Sequence, residues 1–182
     1  MTYHQMAHVL RSAAAISGSR EFFLVGSQAI LMCVPNVPAE LLKSVKMDVW
    51  IDAPDEIAEL IEGTLGKDSQ FHHTFGYHVD MVGPLTAVLP RNWRSRAIEV
   101  RDVPHFGNSD VTSPSVADLA ASKLVAGREK DFEWVSALVE SGGVSGPEMD
   151  AVIEEIEDET AQNRAMRGKR VVCGGGIGVP GW

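Results

Sequence analysis

Two segments constrain this chain most, and they do so as a pair. Phe22-Phe23-Leu24-Val25-Gly26-Ser27-Gln28-Ala29 is an apolar strand running into a Gly-Ser turn and a helix, and Val45-Lys46-Met47-Asp48-Val49-Trp50-Ile51-Asp52 is a strand with acids on one face. Main-chain N–H groups at a helix N-terminus point outward and the helix dipole favours negative charge there, so the first segment is a shape that cradles phosphate. The second offers carboxylates to a divalent metal. A phosphate cradle beside metal carboxylates is what phosphoryl or nucleotidyl transfer requires, because that chemistry is mostly positioning and charge neutralisation.

The 182 residues, 45% hydrophobic and 23% charged, predict one soluble domain with a sizeable core. No apolar run approaches the ~20 residues that span a bilayer, and Met1-Thr2-Tyr3-His4-Gln5 has neither a basic region nor a signal-like stretch, which predicts a cytoplasmic protein with no membrane attachment. Cys33 and Cys173 lie far apart without metal-ligand spacing and read as reduced thiols. The formal net charge of −9 argues against long duplex nucleic acid as a partner, since that binding depends on Lys and Arg neutralising phosphates. A small phosphorylated ligand held by a few local groups, or a basic protein partner, remains compatible.

Apolar spacing predicts an opening helix from His4 to Ile16 closed by Gly18, a strand Phe22 to Val25, a short helix Gln28 to Cys33 broken by Pro35 and Pro38, and a strand Val45 to Ile51. A helix follows from Pro54 to Leu65, with Ile57, Leu60, Ile61 and Leu65 on its buried face. Phe75 to Val82 alternates as a strand after a loop carrying His72 and His73, with Thr86 to Leu89 and Arg96 to Val100 as further strands. A loop through Pro104 and Gly107 leads to a cap at Ser113, then helices Pro114 to Ala126, Lys130 to Glu140 and Pro147 to Met166. Residues 1–112 thus read as an α/β core, 113–166 as a C-terminal helical segment of the same domain, and 167–182, rich in glycine after Gly174, as a flexible tail with a weak claim to ligand binding.

Strand alternation gathers the candidate site. Lys46, Asp48, Trp50 and Asp52 point away from the core face of their strand, as His78 and Asp80 do from theirs. If the two strands are neighbours, one sheet face holds Asp48, Asp52, His78 and Asp80 beside the Gly26-Ser27 turn.

The turn at Leu24 to Ala29, the Asp48 strand and the run Asp118-Leu119-Ala120-Ala121-Ser122-Lys123-Leu124-Val125-Ala126-Gly127-Arg128-Glu129-Lys130-Asp131 together resemble the nucleotidyltransferase superfamily over Phe22 to Leu138. The branch they resemble is that of the minimal nucleotidyltransferases and abortive-infection toxin-like proteins, which includes a bacterial group without assigned roles. The resemblance implies an α/β nucleotidyltransferase-like mixed sheet with flanking helices. It also implies that Gly26 and Ser27 hold the triphosphate, that Asp48 is the first magnesium acid and catalytic, and that Asp80 is the acid contributed by a neighbouring strand. Lys123 and Asp131 would then serve nucleotide binding.

The resemblance places a second metal acid at position 50, where this chain has Trp50. An indole supplies no ligand. Asp52 lies on the same face, but Asp52-Ala53-Pro54-Asp55 also has the form of a helix cap, the reading favoured over metal ligation. Trp50 reads as packing more readily than as a base-stacking platform, and His78 as a half-exposed strand histidine more readily than as a proton shuttle. If the helix continues through Gly127, Lys123, Gly127, Lys130 and Asp131 share a stripe; if it breaks there, Arg128 and Asp131 form a surface ion pair worth little. Two functions follow: magnesium-dependent nucleotidyl transfer from a nucleoside triphosphate to a hydroxyl, or a non-catalytic descendant that binds a nucleotide or a protein, as one half of a toxin–antitoxin-type pair.

Overall fold

A computed structural model describes residues 1–174, and the chain divides into two compact units: residues 1–86 with 97–114, and residues 87–96 with 115 onward.

The first unit is built on a five-stranded mixed sheet. Its elements in chain order are α1 (Tyr3–Ser17), β1 (Glu21–Val25), α2 (Ile30–Cys33), β2 (Lys46–Trp50), α3 (Asp55–Leu65), α4 (Gln70–Phe75), β3 (His78–Met81), β4 (Ile98–Val103) and β5 (Ser109–Ser113). The strand order is β3-β2-β1-β5-β4, with β1 antiparallel to β2 and the pairs β2/β3 and β1/β5 parallel. Helix α1 begins at a capping box, Thr2 and Gln5 satisfying each other's main-chain N–H, and ends at Gly18 in the left-handed conformation. One set of alternate strand residues, Phe22, Leu24, Met47, Val49, Val79 and Val111, is buried with Met6, Val9 and Leu10 of α1 and Ile61 and Leu65 of α3. These make the core and leave Phe23, Asp48, Trp50 and Asp80 on the opposite sheet face.

The second unit is helical: α5 (Val116–Ala126), α6 (Glu129–Glu140), α7 (Gly146–Ile153) and α8 (Glu159–Cys173). Its core gathers Leu119, Leu124, Val135, Leu138, Met149, Ile153 and Ala165. Helix α8 approaches its neighbours closely through small residues; a Cβ at Gly168 would lie 2.8 Å from Phe132 Cε1. Arg96 ties residues 87–96 to these helices, donating to buried Asp118 and to Glu155. Among the described residues no helix is long and apolar enough to cross a membrane.

The mixed α/β class and the C-terminal helices are as the sequence predicts. Several elements are not. Residues Gln70–Phe75 form a helix capped by Ser69 and closed by Gly76 at φ +75°, so Phe75, His72 and His73 are helical and the strand begins only at His78. Leu60 is 46% exposed rather than buried, and Thr86 to Leu89 is irregular rather than a strand. The stretch expected as loop before Ser113 contains β5, and the cap of α5 is Ser115, whose hydroxyl accepts from Asp118 N. The single helix expected from Pro147 to Met166 is two, because Asp158 caps a new start. Residues 167–173, expected as tail, complete α8; the glycines at 175, 176 and 178 lie outside the described residues.

Candidate functional site

Gly26 sits at φ +70°, ψ −165°, a backbone conformation open essentially to glycine alone. Space makes the same demand, since a Cβ there would lie 2.1 Å from Asp48 Oδ2. The turn and the acid strand therefore meet, as the antiparallel register Val25 opposite Asp48 requires. Ser27 opens a 3-10 turn, Ser27–Ala29, that passes into the four-residue α2. So short and irregular a helix carries little dipole, and any anion held here would rely on the local amides rather than on the macrodipole the sequence suggested. One residue on, Gln28 is 1% exposed and neither of its amide atoms has a hydrogen-bond partner among the described residues.

Strands β2 and β3 are neighbours, and Asp48 stands directly beside Asp80, as Lys46 does beside His78. The sequence places these four on one face, and the register brings them together. Between the two carboxylates lies the ammonium of Lys46, 2.9 Å from Asp48 Oδ1 and in very close contact with Asp80 Oδ2. Burial lowers the lysine's pKa, but its bonds to Asp80 and Asp48 outweigh that and hold it above its ordinary value. His78 Nε2 is 3.6 Å from Asp80 Oδ1, too long for a good hydrogen bond. Burial, with His72 nearby, keeps the His78 imidazole below its usual pKa.

Two predicted contributors fall away from this cluster. Asp52 lies beyond the end of β2 and is exposed, and it caps nothing: α3 has Pro54 at its N-cap position with no side-chain cap bond. Pro54 makes the extended entry to the helix, at φ −54° and ψ 147°. Trp50 stacks on Phe23 across the β1–β2 pair, centroids 4.3 Å apart and planes at 29°, which is the packing role.

Lys123 and Asp131 belong to the helical unit. Gly127 ends α5 at φ +66°, so the helix does not continue through it and the four-residue stripe does not form. The break still brings the two together, Lys123 Nζ lying 3.0 Å from Asp131 Oδ1, with the ammonium 5.1 Å from the Trp134 ring centre. Arg128 also binds Asp131, which is fully buried, so the arginine pair is no mere surface bridge. Burial opposes ionisation of Asp131, yet the two cations hold its pKa below the usual carboxylate value.

A two-ion metal centre needs bridging carboxylates. Here the two that converge already hold an ammonium, the third position is a stacked indole, and among the described residues no group of three or more His, Cys, Asp or Glu could hold a metal ion. The residues present do not fit such a centre. Sequence reasoning placed Lys46 on this face without giving it a role; the signal was its position two residues before Asp48, which alternation puts on the same side.

A family model described as "Nucleotidyltransferase of unknown function" (DUF6036) matches residues 4–172. No curated protein and no solved structure matches the chain.

Proposed function

From the premise that this chain belongs to that nucleotidyltransferase family, we propose that it binds a nucleoside triphosphate at the Gly26-Ser27 turn and does so without efficient two-ion nucleotidyl transfer. The observation that carries this reading is the meeting of a glycine-only turn with Asp48, whose cation is a lysine. Gly26 puts no side chain of its own between the backbone and a ligand, the nearest group being the Asp48 carboxylate, and main-chain amides at such a turn recognise phosphate. Gln28 supports it, because a buried amide left without partners costs about 1–3 kcal/mol and a ligand or water against it would recover that. Transfer would need more. With Trp50 in place of an acid, charge neutralisation at the reacting phosphate weakens, and each tenfold in rate is about 1.4 kcal/mol of barrier.

The test is equilibrium binding of the four nucleoside triphosphates, with and without magnesium, to the native chain and to Gly26→Val. Saturable binding by the native chain, lost in a folded Gly26→Val variant, is the expected result; no saturable binding of any triphosphate overturns the reading. A second reading, magnesium-dependent transfer, draws on the in-register Asp48 and Asp80. Pyrophosphate release by the native chain, abolished by Asp48→Asn, would establish it in place of the first.

A further inference from the structure

We infer that Lys46 is the resident cation of the Asp48–Asp80 pair and that it closes this pair to divalent metal ions in the native protein. The claim concerns the cation alone and stands whether or not a nucleotide binds.

The argument starts from the strands. Parallel pairing in register sets Asp48 beside Asp80, and like charges so placed repel unless a cation joins them. Such a pair is relieved by a proton, by a bound ion or by a cation that the chain itself supplies. This chain supplies one from position 46, where period-two alternation returns a side chain to the same face, and a four-carbon stem carries its ammonium to both carboxylates. Tethering matters because the lysine is present at fixed high local concentration, whereas a free ion pays its full entropy of binding. Charge count matters too. With Lys46 in place the trio sums to one negative charge; without it the pair carries two, on neighbouring oxygens suited to a hard cation.

The neighbouring groups do not offer a way round. Trp50 is stacked on Phe23, Gly26 brings backbone rather than a donor side chain against Asp48, and His78, 3.6 Å from Asp80, does not complete a group of three ligands with the two acids among the described residues. A divalent ion entering the pair must therefore displace Lys46, and the displaced ammonium would remain nearby as a repelling charge.

The experiment titrates Mn2+ into the full chain, stripped of metal and free of nucleotide, and follows free ion by electron paramagnetic resonance. We expect Lys46→Met to bind one Mn2+ about tenfold or more tighter than the native chain, and Lys46→Met with Asp48→Asn to lose that gain. Lys46→Arg keeps the charge and should bind no better than native. A second measurement keeps Lys46: Asp80→Asn should leave Mn2+ affinity unchanged if Lys46 already closes the pair. Native binding as tight as that of Lys46→Met, or native binding weakened by Asp80→Asn, overturns the inference.

Discussion

Two clusters in this chain are made of the same groups and differ in stoichiometry and exposure. In the helical unit, one acid meets two cations: Asp131, fully buried, is held by Lys123 and Arg128. In the sheet unit, two acids meet one cation: Asp48 and Asp80, with side chains 18% and 30% exposed, share Lys46. A buried acid saturated by cations cannot exchange partners without desolvated charge appearing in the interior, so it fixes a conformation. A partly exposed pair can lose its cation to substitution while the fold stands. The comparison assigns the first cluster to holding the α5–α6 turn in shape, while the second tolerates a change of charge that the first does not.

The largest effect that could break this contrast is on stability. Removing one partner of a buried pair costs about 3–5 kcal/mol because the other charge stays buried. Asp131→Ala should lower stability by that order in urea denaturation, whereas Asp48→Asn should change it by about 1 kcal/mol or less, as for partly exposed pairs. Equal costs for the two substitutions would mean that burial does not separate the clusters.

Next is Gly26→Ala, which adds a Cβ against Asp48 in a conformation that disfavours it. Strain and overpacking together predict about 2–4 kcal/mol of destabilisation. In an Asp48→Gly background the steric part should vanish and the conformational part remain, so the two substitutions should be non-additive in a double-mutant cycle. Strict additivity would separate the turn from the acid strand.

Acid titration tests the buried cluster in a different way. The Asp131 pKa is depressed in the folded state, so its contribution is fully present above the unfolded value of about 3.9 and is lost as pH falls through the folded value below it. The stability difference between native and Asp131→Asn should therefore hold at pH 6 and shrink only below about pH 4. A difference that disappears between pH 5 and 7 would mean that Asp131 is not held ionised by its cations.

How far the sequence could carry this contrast depended on side-chain size and polarity. Asp48 beside Asp80 was readable because Val45 to Ile51 and Tyr77 to Met81 alternate cleanly, and alternation needs only one buried face. Strand β5 was not, because its inward residues are Ser109, Val111 and Ser113, and two buried serines look like loop. Ser113 is accommodated by directing its hydroxyl to the carbonyls of Ala29 and Pro114. Phe75 misled in the opposite sense: Phe75, Tyr77 and Val79 mimic a strand period across Gly76, whose left-handed turn in fact separates a helix from β3. The Lys123–Asp131 contact was half legible, the residues being right and the continuous helix wrong, because a glycine can cap a helix as readily as it can sit within one. Lys46 was passed over because a lysine on a strand is ordinarily a solvated side chain, and only the register of β2 against β3 shows it bridging two acids.

The smallest expected effect separates the missing acid from the resident lysine. Trp50→Asp restores a carboxylate two residues from Asp48 on the same face and removes the stack on Phe23, at a cost of about 1 kcal/mol beyond lost area. If the absent acid alone limited metal binding, this substitution would raise Mn2+ affinity by itself. With Lys46 in place, the added carboxylate meets a pair already bridged, and the expected change is within about twofold of native. In a Lys46→Met background the same substitution should add a third ligand to an open pair and tighten binding about tenfold further, since each additional carboxylate raises the charge facing the ion. A large gain from Trp50→Asp alone would move the block from position 46 to position 50 and leave the lysine as an ordinary ion-pair partner.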